Sequence, residues 1–260
     1  MTKSRNSLVH LYQKEGIDAV EDFLIQARSN HRLVNTSFPP THYHQAAVWA
    51  FSNQAPDLLD CLILFKKEQL KFGSLLEKSQ SSGSRAMFAT ICSNMESYHE
   101  DDLNRFLRKT PNKLELVLDH IPTSLKTFLF MWGIKNHCRT QWIEDNIEEL
   151  VTAGVARYGH LRPLLNCAAE NCRLNIYAAI VPHEPSPKVV NATLLDWVKQ
   201  GNEEALYRFL KFGDVDDLMR KIDMDQEKRG VVLGALSRLE KDQIKAHTPE
   251  VVQARRSYRM

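Results

Sequence analysis

The chain has 260 residues, 43% of them hydrophobic and 25% charged, which suits a soluble globular protein with ample apolar surface to bury. Its formal charge of +2 is too small to call for a nucleic-acid partner on balance alone, and 10 glycines and 10 prolines are few for an all-β fold. No window approaches the ~18 apolar residues of a membrane span.

In chain order, residues 1–7 lead into an amphipathic stretch rather than an apolar signal segment, so no leader is expected. Residues 7–28 place Leu8, Leu11, Tyr12, Ile17, Val20, Phe23, Leu24 and Ala27 at helical spacing, broken near Gly16. A polar connector, Ser29 to Thr41, closes on Phe38-Pro39-Pro40, where the double proline marks a boundary. Ser79 to Ser84 reads as a loop by composition, and Gly159-His160 as a break. Pro182 to Pro187, with three prolines in six residues, reads as a stiff, exposed connector. A last helix is expected over Gly230–Ile244, before Thr248-Pro249 and a basic tail with Arg255, Arg256 and Arg259. No convincing strand alternation occurs.

Asn53, Asn94, Asn136, Asn171 and Asn202 each close a short apolar helix and precede another, at spacings of 41, 42, 35 and 31. Asparagine suits such ends because it tolerates the left-handed conformation and can cap the next helix. Recurrence at this interval predicts helical-pair repeats. Three segments follow: 1–40 as an N-terminal helix and connector, 41–247 as the array, and 248–260 as the tail.

Residues 192–214 carry the fullest unit: Leu194, the Gly201-Asn202 break, then Ala205, Leu206, Phe209, Leu210 and a closing Gly213. This resembles the ankyrin-repeat pattern of Thr-Pro-Leu-His-x-Ala-Ala-x-x-Gly-His with an apolar second helix. Residues 162–181 resemble it next, through Pro163, Leu164, Cys167, Ala168, Asn171 and Cys172; residues 41–53 keep Thr41, His44, Ala46 and Ala47. The units around Asn94 and Asn136 keep almost none of it, and the period exceeds the family's 33 or so, so HEAT-like pairs are the alternative stacking. The resemblance implies an all-α solenoid of stacked helical pairs, with a divergent N-terminal helical cap, that works as a protein-interaction module.

No phosphate loop, H-E-x-x-H or G-x-S-x-G motif is present, and no catalytic residue, cofactor or metal is assigned. His42 and His44, with His31 nearby, could ligate a metal in an extended segment; the repeat resemblance instead gives His44 a turn-fixing hydrogen bond. His137-Cys138, with Cys167 and Cys172, offers base and nucleophile types, but adjacent helical side chains diverge. The five cysteines (Cys61, Cys92, Cys138, Cys167 and Cys172) read as structural free thiols of a reducing compartment. Asp214, Asp216, Asp217, Asp223, Asp225 and Glu227 lack the EF-hand glycine and read as a solvated loop with turn and cap residues. Trp49, Trp132 and Trp197 lie in first helices that stack into the core; Trp142 is also expected in the core, but as the one of the four that is partly exposed. Trp142, Tyr43 and His99 are the candidate partner-binding residues.

The sequence therefore points to a soluble, intracellular, cytoplasmic protein that binds another protein, delivery into a host cell being one setting for such arrays. The first alternative is a helical nucleic-acid-binding protein of viral or phage type, with Lys66, Lys67, Lys71, Arg105, Arg108 and Lys109 on one face. The second is an enzyme on an unfamiliar helical fold.

Overall fold

A computed structural model describes residues 7–29, 38–82, 84–184, 186–222 and 225–247. His31 and the basic tail lie outside them. The described residues are all-helical, without a strand. They fall into two compact units, Met1–Leu129 and Phe130–Met260. The helices before residue 40 lie inside the first unit.

In the first unit, α1 (Leu8–Glu15) and α2 (Ile17–Ser29) are separated by Gly16, whose φ of 87° a residue with a side chain rarely adopts. They pack on α3 (Pro40–Asn53) and α4 (Pro56–Lys66). The prolines at 40 and 56 sit at the first helical position, where a missing N–H breaks no intrahelical bond. α5 (Phe72–Ser82), α6 (Arg85–Ser93), α7 (Glu100–Lys109), α8 (Leu114–Leu118) and α9 (Thr123–Lys135) follow. The expected loop at 79–84 is a helix as far as Ser82. Ser79 is buried and satisfies its hydroxyl by donating to the Leu76 carbonyl at 2.6 Å, so serine composition there does not break the helix. α7 carries Glu100, Asp101 and Asp102 in its first turn and Arg108 and Lys109 in its last, matching the helix dipole at both ends.

The second unit continues with α10 (Thr140–Asp145), α11 (Ile147–Tyr158), α12 (Arg162–Glu170), α13 (Leu174–Ile180), α14 (Pro187–Lys199), α15 (Glu203–Phe209), α16 (Val215–Ile222) and α17 (Gln226–His247). α12 packs on α13 and α14, and α14 on α15, α16 and α17. Tyr177 and Trp197 converge on Phe209, with ring centroids 4.8 and 5.0 Å away, and Leu164, Leu165, Leu194 and Leu206 are fully buried. Each such leucine contributes about 1.5–3 kcal/mol of burial.

In the 182–187 connector Pro182, His183 and Pro187 are exposed as expected, and among its described residues only Glu184 is buried. Its carboxylate accepts from the Leu161 N–H at 2.8 Å and the Ser186 N–H at 3.1 Å, which satisfies the start of α12. α17 begins before the expected Gly230 and runs past Ile244.

Candidate interaction surface

Several helix ends share one backbone construction. Four helices stop with the same backbone geometry: Ala55 N–H donates to the Ala50 carbonyl, Cys138 to Gly133, Arg173 to Ala168 and Asn202 to Trp197, at 2.7–3.0 Å. Each bond spans five residues and closes over one left-handed residue, respectively Gln54, His137, Cys172 and Gly201. The asparagines are not left-handed. Asn53, Asn136 and Asn171 stand just before that residue, and each donates Nδ2 to a carbonyl one turn back, on Trp49, Trp132 and Cys167, at 2.8–2.9 Å. Asn94 and Asn146 make the same bond, to Thr90 and Trp142. Asn202 differs: it follows the left-handed glycine and caps α15 by accepting from Ala205 N–H at 3.0 Å. The aligned asparagines therefore combine two roles, an end seal and a start cap.

Three of these stops lead into a second helix that runs directly into a 3₁₀ turn: Lys67–Gln69 after α4, Val181–His183 after α13 and Leu210–Phe212 after α15. Gln54, His137 and Cys172 are exposed, so the stops present side chains to solvent.

The sequence-predicted contact residues are placed elsewhere. Tyr43 is 1% exposed, with the Lys66 ammonium 5.3 Å over its ring. His99 is 7% exposed; its Nδ1 accepts from the Glu96 N–H at 2.9 Å in a capping box. Trp142, the tryptophan expected to be partly exposed, is buried against Phe130 at 5.2 Å, whereas Trp49 is half-buried. Trp49 meets a ring as well, Tyr12 at 6.0 Å, so a ring contact alone does not set the exposure of either indole. All three candidates are packing residues in this fold.

His44 Nδ1 accepts from the Lys71 N–H, 27 residues further on, at 3.4 Å. Burial pushes the Cys61 and Cys167 thiols up to about 11 and Cys92 to about 12, and it outweighs the adjacent Arg173 in raising Cys138. Thiols held protonated are poor nucleophiles. The acidic run is local architecture: Asp214 and Asp225 accept from the N–H groups of Asp217 and Lys228, and Asp217 accepts from buried Asn191 at 2.6 Å. Asp223 lies outside the described residues. Among those described, no group of three or more His, Cys, Asp or Glu side chains could hold a metal ion.

Of the six basic residues singled out for a nucleic-acid face, three form ion pairs. Lys67 pairs with Glu96 at 2.5 Å, Lys109 with Glu77 at 2.6 Å and Arg105 with Asp102 at 3.7 Å. The Lys67–Glu96 pair ties together the segments bearing Leu64 and Tyr98, 69% and 64% exposed. A groove of about 300 Å³, lined by residues 64–69, opens beside Leu64.

Sequence reasoning missed Arg173, Asn191 and Glu184, each of which secures backbone in another element. Asn146 had a usable signal, an apolar helical run ending in asparagine; the other three have none short of the fold.

The chain matches no protein-family model, no curated protein and no solved structure.

Proposed function

We propose that this protein is a helical-repeat scaffold that binds another protein through exposed helix stops and the surface beside them. The observation that carries this reading is the shared construction of helix, left-handed stop, second helix and 3₁₀ turn at 40–69, 162–183 and 187–212. A unit of this build buries its apolar face only against neighbours, and a stacked series of them offers a stiff surface that loses little entropy on binding. The array is read as ankyrin-like, with HEAT-like stacking as the other arrangement of the same pairs. A cytoplasmic setting fits five free thiols. No helix among the described residues is long and apolar enough to cross a membrane.

The test is affinity capture on the full chain from its native cell, followed by cross-linking and a salt series. One protein recovered at fixed stoichiometry, cross-linked near Gln54, His137 or Cys172, supports the reading. Retention of RNA or DNA alone, weakening steeply with salt, overturns it in favour of nucleic-acid binding.

A further inference from the structure

A cleft of about 470 Å³ opens in the first unit between the end of α5, the start of α6 and α8. Phe88 and Leu116 give it an apolar lining. Four charged side chains stand around it: Arg85 and Lys113, and Glu115 and Asp119. Two are positive and two negative, yet among the described residues none of the four forms an ion pair. The neighbouring cation Lys109 does find a carboxylate, on Glu77.

We propose that this cleft binds a zwitterionic ligand with an apolar body, its carboxylate toward Arg85 and Lys113 and its ammonium toward Glu115 and Asp119. A ligand of one sign would meet repulsion from the pair of like charge. A neutral apolar ligand would desolvate four charges without compensation. A molecule carrying both charges meets both pairs, and guanidinium–carboxylate hydrogen bonds are among the stronger polar contacts available. The shared chemistry belongs either to a free apolar amino acid or to a protein segment with an acidic and a basic side chain about one helical turn apart around a leucine. This inference goes beyond the scaffold reading and does not depend on it.

The experiment is calorimetric titration of the full chain with two zwitterionic probes. One is L-phenylalanine, and the other a blocked peptide with glutamate and lysine four residues apart around leucine. N-acetyl-phenylalanine and phenylalaninamide, each lacking one charge, are the controls. Saturable binding of L-phenylalanine, weakened roughly tenfold or more in both controls, supports a free amino-acid site, and saturation by the peptide alone supports a protein segment. Arg85→Gln and Asp119→Asn, both exposed and outside the core, should each weaken the favoured probe by about tenfold while leaving the melting temperature unchanged. The proposal is overturned if neither probe saturates at millimolar concentration, if the controls bind equally well, or if both variants bind as tightly as the parent. Partner capture by the stops would be untouched by any of these failures.

Discussion

The guanidinium of Arg173 donates to the carbonyl of Ile134 at 3.2 Å, and also to that of Cys138. Ile134 lies in the last turn of α9 and Cys138 in its stop, whereas Arg173 closes the stop of α12. One helix end thus seals another, supplying donors to carbonyls at the end of α9, where Ile134 otherwise accepts the long 3.4 Å bond from the His137 N–H. Arg173→Met should lower the unfolding free energy by about 1.5–3 kcal/mol, the range for hydrogen bonds to a charged group. Arg173→Lys should recover only part of this, because one ammonium does not reproduce the guanidinium fork. Urea unfolding of both variants checks it; a methionine variant as stable as the parent would show that the bridge carries no weight.

The stops themselves make a prediction of opposite sign. Gln54, His137 and Cys172 hold φ values of 53°, 61° and 54°, a region where a Cβ costs about 1 kcal/mol or more. Gly201 fills the equivalent place at the fourth stop without that cost. Replacing any of the three by glycine should stabilise the fold by about 0.5–1 kcal/mol after the entropy of glycine in the unfolded chain is subtracted. A raised melting temperature is the readout. Under the scaffold reading the same substitutions weaken partner binding, because they remove exposed side chains.

Helix content and most element edges were legible in the sequence because apolar spacing and proline or glycine punctuation act locally. The ends at Gly16, Asn53, Gly159 and Asn171 fall where those signals place them. Exposure was not legible. Trp142 meets Phe130 at 5.2 Å and Trp49 meets Tyr12 at 6.0 Å, yet the first is buried and the second half-buried, a difference of tertiary packing that a helical wheel does not contain. Serine at 79 carries a loop signal that one carbonyl cancels. The compact-unit division at 129/130 has no punctuation, since it falls inside α9. Likewise, the four charges of the 470 Å³ cleft come from segments some thirty residues apart, so no spacing rule gathers them.

Two glycines in the second unit have contrary roles. Gly213 is not left-handed; its φ is −105°, and what it supplies is space. A Cβ there would lie 2.2 Å from Leu194 Cδ1 and 3.0 Å from Asn191 Oδ1, and both residues are buried. Gly213→Ala should therefore cost about 1–3 kcal/mol through overpacking, and it should also disturb the Asn191 bond to the Asp214 N–H. Gly230, within α17, has nothing within 4 Å of the same position, so Gly230→Ala should add about 0.5–1 kcal/mol by helix propensity alone. Guanidinium unfolding of the two variants side by side tests the pair, and equal shifts would contradict it.

His99 makes stability depend on pH just below neutrality. Burial lowers its pKa from 6.5, outweighing the opposing effects of Asp102 and Glu96, while Lys67 adds to the lowering. Its Nδ1 must stay unprotonated to accept from the Glu96 N–H. His44, lowered first by burial and then by Lys71, accepts from the Lys71 N–H in the same way. In both cases the unfolded chain binds the proton more readily than the folded one. The stabilisation is accordingly complete above about pH 6.5 and is lost as pH falls below it. The carboxylates of Glu96, Glu204, Asp217 and Asp225 are held below their ordinary values, chiefly by hydrogen bonds from Lys67, Arg238, Lys221 and Lys228 respectively. Their contribution is also lost on acidification, but only below about pH 4. Urea midpoints should thus fall in two steps between pH 7 and pH 3. His99→Gln, which keeps a polar group at the capping position but cannot titrate, should flatten the upper step and leave the lower one in place. An unchanged upper step in that variant would assign it to His44 or another histidine instead.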